Sequence, residues 1–204
     1  MLQDLNLKDF LEKTGSNSPV PGGGSAAALT ASLSASLVEM VSNLTVGKKK
    51  YEEVNEEMEE IKKIAMEMRK KFLNDIDRDS ESFNGVMAAF KLPKETDEEK
   101  NTRKELIQKE LKNAALIPLE IAKNSYKILD ISEKVVIKGN QNAVTDGLVA
   151  TMLARTAVLS ALYNVKINLI SIKDEEFIKQ VTEEMDKLSD VNKREESILK
   201  KVEL

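Results

Sequence analysis

The sequence predicts an all-α fold: a single-domain bundle of long helices spanning residues 1–204. Apolar residues recur at helical spacing along most of the chain, and strand-like alternation is almost absent. Four prolines and eight glycines are too few to punctuate a protein of many short strands. Charge is also unevenly spread. Glu39 is the only charged residue from Thr14 to Gly47, and Asp146 and Arg155 are the only ones from Gly139 to Val165. The remaining segments are dense in Glu and Lys, so two low-charge helices are expected at the centre, wrapped by charged amphipathic ones.

The elements follow in order. A short helix over about 7–14 takes Asn6 as its cap and Gly15 as its stop. A loop, Ser16 to Gly24, leads into a helix over 25–46 that ends at Gly47. Ten of the twelve residues from Ser25 to Ser36 are Ala, Ser or Thr, so neighbouring backbones can approach this helix closely. That pattern suits a crowded bundle core, a helix-pairing surface between two subunits, or both. A third helix opens near Tyr51 and runs to about Phe90, ahead of Pro93. Thr96 with Glu99 forms a capping box, and the helix it opens is expected to kink or divide at Pro118. After the turn Gly139-Asn-Gln-Asn142, Thr145 can cap a helix through about Ile170, and a charged helix fills 174–202.

Composition excludes whole classes of chemistry. Without cysteine, disulfides, thiolate nucleophiles and Cys-ligated metals are out. Without histidine, Ser-His-Asp triads and imidazole acid–base catalysis are out as well. The balance of 31 basic against 35 acidic residues argues against a nucleic-acid partner. Residues 1–12 lack the basic and apolar regions of a signal peptide, and Ser25–Val46 is diluted by Ser and Thr and interrupted by Glu39. A soluble cytoplasmic protein with no membrane partner is expected.

Several features could carry chemistry. Pro19-Val-Pro21-Gly22-Gly23-Gly24-Ser25 runs three glycines into a helix start whose first N–H groups lack partners, which suits an anion or an electron-rich ring edge. A flexible linker looks similar, although the flanking prolines and helix start favour a ligand loop. Lys48, Lys49 and Lys50 complement the dipole at a helix C-terminus, or meet a substrate carboxylate. Asp79 lies about 20° from Phe72 and about 40° from Phe83 around its helix, within the apolar stripe. A carboxylate there needs a salt bridge or a function, and burial would raise its pKa towards a useful acid–base range. Asp146 sits in a helix first turn beside Asn140 and Asn142. Glu39 and Arg155 are most simply a buried pair across the two low-charge helices.

Taken together, Ser18–Ser25, Met40–Tyr51, Asp79–Pro93, Gly139–Asn142 with Thr145-Asp146, and Asn164–Leu169 resemble, in the same order, the formiminotransferase-cyclodeaminase C-terminal domain. That family includes the stand-alone bacterial methenyltetrahydrofolate cyclohydrolases. The resemblance spans about residues 7–177 and implies an all-α homodimer with folate, possibly as the polyglutamate, bound near the subunit interface. It implies no metal and no cofactor beyond the tetrahydrofolate substrate. Of its two reactions, hydrolysis of 5,10-methenyltetrahydrofolate is favoured over cyclodeamination of 5-formiminotetrahydrofolate, because no transferase domain is attached. A non-catalytic folate-binding or helical interaction module is the alternative of another class. Carried onto this chain, Asp79, Asp146 and Lys48 are the catalytic candidates. Pro21, Gly22, Gly23, Gly24 and Ser25 would line the folate site. Lys49 and Lys50 would meet glutamate carboxylates, and Asn43, Asn140 and Asn142 the pterin edge.

Overall fold

A computed structural model describes residues 1–203, and among them no strand occurs. The α-helices are α1 (Leu7–Thr14), α2 (Gly23–Thr45), α3 (Asn55–Phe90), α4 (Asp97–Lys138), α5 (Val144–Leu169), α6 (Glu175–Asp186) and α7 (Val191–Leu199). Short 3-10 turns occupy Leu2–Asp4, Lys49–Val54 and Gln141–Ala143.

α2 to α5 form an up-down-up-down bundle. Ser25 of α2 meets Ile76 late in α3, while Ser32 meets Arg69 earlier in it. Ala114 early in α4 meets Asn168 late in α5, while Ser132 meets Thr151. Both trends require antiparallel neighbours. The seam between α2 and α5 is built of small residues. Ala28, Ala31 and Ala35 are fully buried on α2, as are Ala150, Ala154 and Ala157 on α5. The Ser34 hydroxyl donates to the Ala150 carbonyl at 2.7 Å, so a polar group crosses the seam with its hydrogen bond made. Beyond the bundle, α3 and α4 continue as an arm with its own apolar cluster, including Val86, Ala89, Ile107 and Leu111, sealed by Ile172.

Several expectations need correction. The low-charge helices do lie together, but only 56% and 50% of their most apolar windows are buried. Their outer sides form one exposed apolar face instead of a fully wrapped centre, with Leu33, Met40 and Leu44 on α2 and Val149, Met152 and Tyr163 on α5. Glu39 does not pair with Arg155. Because small residues fill the α2–α5 seam, Glu39 turns to Arg69 on α3 (2.7 Å) and Arg155 turns to Asn192 and Glu195 on α7. Thr145 is not a cap: a 3-10 turn capped by Asn140 precedes α5. The charged C-terminal segment divides into α6 and α7. The Asn6 cap and the Thr96–Glu99 capping box occur as the sequence suggests.

Pro118 neither ends nor divides α4, which runs unbroken from Asp97 to Lys138. Proline has no N–H to give the carbonyl of Ala114, four residues earlier. The Asn168 side chain of α5 supplies the donor, with Nδ2 to Ala114 O at 2.7 Å. Replacing Asn168 by Ala should therefore cost about 1–3 kcal/mol in chemical denaturation, the penalty of an orphaned carbonyl. Measured in a Pro118→Ala background, where the backbone N–H returns, the same replacement should cost under about 0.5 kcal/mol.

Candidate active site

The Gly-rich loop and the start of α2 meet α3 at one end of the bundle, and the contact is unusually close. A Cβ on Gly24 would lie 2.0 Å from Oδ1 of Asp79, so only glycine lets this carboxylate rest against the first turn of α2. Ser25 is fully buried. Its hydroxyl donates to Asp79 Oδ2 at 2.8 Å, and its backbone N–H also bonds the carboxylate. The Ser80 hydroxyl, 3.1 Å away, is free to donate back to Ser25. Burial raises the Asp79 pKa above the ordinary carboxylate value, and the Ser25 hydroxyl and N–H oppose that rise without cancelling it.

Above Asp79 lies a cleft of about 330 Å³, comparable to the smaller ligand sites of proteins. Gly22, Gly23 and Gly24 form one wall, Ser82, Phe83 and Val86 of α3 a second, and Asn164, Ile167 and Asn168 of α5 a third. It combines a half-sequestered carboxylate, backbone exposed by glycines, two amides and an aromatic ring. Such a lining can seat a small planar heterocycle and exchange a proton with it. Larger depressions of about 590 and 580 Å³ are shallow troughs flanked by lysines on α4 and around Gly47.

The sequence-derived candidates divide between the two ends of the bundle. Gly22, Gly23, Gly24 and Asp79 share the cleft. Ser25 lies beneath it and orients Asp79, while Pro21 is buried and does not line it. Lys48, Lys49, Lys50, Asn43, Asn140, Asn142 and Asp146 lie at the other end, roughly 35 Å away along the 23 residues of α2. There Gly47 closes α2 with φ of 72°, the left-handed region, and its N–H donates to Asn55. Tyr51 accepts from the N–H of Gln141 at 3.0 Å, which pins the lysine turn against the 139–142 turn. The Asn140 amide is committed locally: Nδ2 donates to Leu44 O at 2.9 Å and Oδ1 accepts from Asn142 N at 3.0 Å. Asn43 and Asn142 are exposed, and Asp146 is half-buried.

Two further buried carboxylates flank Asp79 on α3. Asp77 caps the N-terminus by accepting from Leu2 N at 2.6 Å. Asp75, fully buried, pairs with Arg78, which reaches Glu120 on α4 at 2.9 Å, where Lys71 also lands at 2.6 Å. Burial raises the Asp75 pKa against the pull of Arg78. This network bolts α3 to α4 one turn below Asp79.

Residues 6–187 match the model of one protein family, formiminotransferase-cyclodeaminase. The chain belongs to that family. It is 38% identical over 188 residues to a methenyltetrahydrofolate cyclohydrolase of Methylorubrum extorquens, a match covering 92% of this chain and 90% of the relative. It is also 32% identical to the formimidoyltransferase-cyclodeaminase of Sus scrofa, covering 89% of this chain but 34% of that longer protein. The crystal structure of a formiminotetrahydrofolate cyclodeaminase from Thermotoga maritima superposes with a TM-score of 0.87 at 31% identity, covering 98% and 96% of the two chains.

Within this family member, Asn164, Asn168, Ser82 and Phe83 line the cleft although composition and spacing gave them no role. The Asn164–Leu169 segment carried part of the family resemblance, and Pro118 is a further signal for Asn168: a mid-helix proline demands an outside donor. The raised pKa of Asp79 also fixes a sign. The folded state binds a proton more tightly than the unfolded chain, so this group's contribution to stability declines as pH rises from the unfolded value, near 3.9, through the folded one. Asp79→Asn should therefore raise the melting temperature at pH 8, with the gain vanishing below about pH 4. An equal gain at both pH values would show that the carboxylate's ionisation is not its cause.

Proposed function

We propose that the chain is a 5,10-methenyltetrahydrofolate cyclohydrolase, a folate one-carbon enzyme that forms 10-formyltetrahydrofolate. The observation that carries this reading is Asp79: a carboxylate with a raised pKa at the floor of a cleft sized for a pterin, oriented by Ser25 and given room by Gly24. The bacterial cyclohydrolase supports it by matching this chain over nine-tenths of its own length. In the proposed reaction a water oxygen bonds to the amidinium carbon between N5 and N10 and gives one proton to Asp79. The carboxyl returns that proton to N5 as the carbon–N5 bond breaks. The second water proton leaves to solvent as the formyl carbonyl forms on N10. An ionised Asp79 also offsets the cationic charge of the methenyl bridge. The scheme draws only on the protein, the folate and water.

Cyclodeamination is the second reading, favoured by the Thermotoga structure, which likewise matches from end to end. There N10 attacks the formimino carbon, and ammonia leaves the same tetrahedral centre. Purified protein given both folates distinguishes the readings: the methenyl absorbance decays with a cyclohydrolase, grows with a cyclodeaminase, and is unchanged by a binding module. Asp79→Asn should lower turnover about 10²–10⁴-fold while the protein stays folded.

The functional unit proposed is a homodimer joined through the exposed α2–α5 face. Ala26, Leu29, Leu33, Leu37, Met40 and Leu44 form one stripe on α2, and Val149, Met152, Thr156, Tyr163 and Ile167 continue it on α5. Two helices about 35 Å long and about 10 Å apart offer roughly 700 Å², close to one side of a standard interface. The cleft opens at its edge, through Ile167. Pairing two copies antiparallel about Leu33 and Leu37 would carry the lysine end of one to the Asp79 cleft of the other. Lys48, Lys49 and Lys50 would then meet the folate glutamates, and Asp146 would join the site across the interface. Leu33→Glu should yield monomers in light scattering, with activity lost. Mixing inactive Asp79→Asn and Lys48→Ala proteins should restore about a quarter of the wild-type rate through hybrid dimers. No recovery would show that Asp79 and Lys48 do not share a site across the interface.

A further inference from the structure

Asn164 and Asn168 stand one turn apart on α5, both lining the Asp79 cleft. Each has its amide orientation dictated by the helix carbonyl it serves. Asn168 Nδ2 must face Ala114 O, because Pro118 leaves that carbonyl without its helical donor. Asn164 Nδ2 donates to Ser160 O at 2.9 Å, and turning the amide over would set oxygen against oxygen. Gly23 keeps Asn164 in place, since a Cβ there would lie 3.1 Å from the amide nitrogen and 3.2 Å from its oxygen. With one N–H of each amide anchored on helix backbone, the orientation of the amide is fixed and its Oδ1 is left to a ligand, since no donor among the described residues reaches either oxygen. The cleft therefore carries two oriented hydrogen-bond acceptors at the spacing of i and i+4 positions, roughly 5–6 Å.

We infer that Asn164 and Asn168 are specificity residues that read two hydrogen-bond donors on one edge of the substrate's ring, the 2-amino group and the N8–H of a reduced pterin. The inference rests on the folate reading above and deepens it. A pterin reduced at its second ring bears a proton on N8; the fully oxidised ring of folic acid bears a lone pair there. An amide oxygen facing N8 rewards the first and repels the second, so the pair selects reduced folates before any chemistry occurs. Discrimination of this kind is strong because the wrong ligand leaves a desolvated acceptor unpaired. Asn164 and Asn168 thus take the edge-reading role that the resemblance implied for Asn43, Asn140 and Asn142, of which Asn140 has its amide committed to Leu44 and Asn142.

The test is calorimetric binding of 5-formyltetrahydrofolate and of folic acid to the full chain. Asn164→Ala is the clean variant, because the helix's own backbone still serves Ser160. For position 168 the variant is Pro118→Ala with Asn168→Ala, in which the restored backbone N–H serves Ala114. The variant at the position that faces N8 should weaken 5-formyltetrahydrofolate binding about tenfold while folic acid binding changes less than twofold; the variant at the position that faces the 2-amino group, which both compounds carry, should weaken both about tenfold, with the folded state preserved in each. If both variants keep the wild-type ratio of the two affinities, neither asparagine reads N8 and the inference fails. If the position-168 double variant keeps both wild-type affinities along with wild-type stability, Asn168 is a structural residue only and its part of the inference fails. A wild-type protein that binds neither compound would overturn the folate reading itself, and this inference with it.

Discussion

The structure turns on one close approach: the first turn of α2 lies so near α3 that the Asp79 carboxylate fills the space a side chain on Gly24 would need. Everything functional at this end of the bundle depends on that contact. It buries Ser25 completely and uses its hydroxyl and N–H on the carboxylate. It also spreads the three glycines as one wall of the cleft. Desolvation of Asp79 is a cost to the fold, and the same burial that opposes ionisation raises its proton affinity, on which the proposed acid–base role draws. The Asp75–Arg78–Glu120–Lys71 network holds α3 against α4 directly below and resists the relaxation that would relieve this cost.

Much of this end was legible in the sequence, because its signals are local. Three glycines at a helix start and an aspartate inside an apolar stripe require explanation wherever the chain folds. The resemblance to a known family linked them before any geometry was available. What the sequence could not convey was distance. Gly24 lies in the first turn of α2 and Lys48 follows its end, and only the helix length of about 35 Å shows how far apart they lie in one chain. Pair partners were equally hidden. Glu39 and Arg155 are the rare charges of two adjacent helices, yet a seam of alanines leaves no room for a bridge, and each side chain turns outward to a charged neighbour.

The low-charge helices illustrate a further ambiguity. Absence of charge marks a surface hidden from water, but not what hides it. In the most apolar stretches of α2 and α5 about half is buried in the bundle and the rest is not. Hydropathy along the chain reads these two parts alike. Only the three-dimensional arrangement separates Ala31 and Ala154, covered within the chain, from Leu33 and Met152, which stand exposed.

The pairing of Pro118 with Asn168 has a consequence for how such sequences can change. A proline at position 118 is tolerable only where position 168 already supplies a donor, whereas an asparagine at 168 is harmless beside any residue at 118. The permitted order of substitution is therefore one-way: the asparagine arrives first, and it cannot depart until the proline has gone. A cleft-lining amide whose loss would leave an α4 carbonyl unpaired is thereby shielded from drift, so the shape of the cleft is inherited together with the integrity of a helix fifty residues distant in the chain.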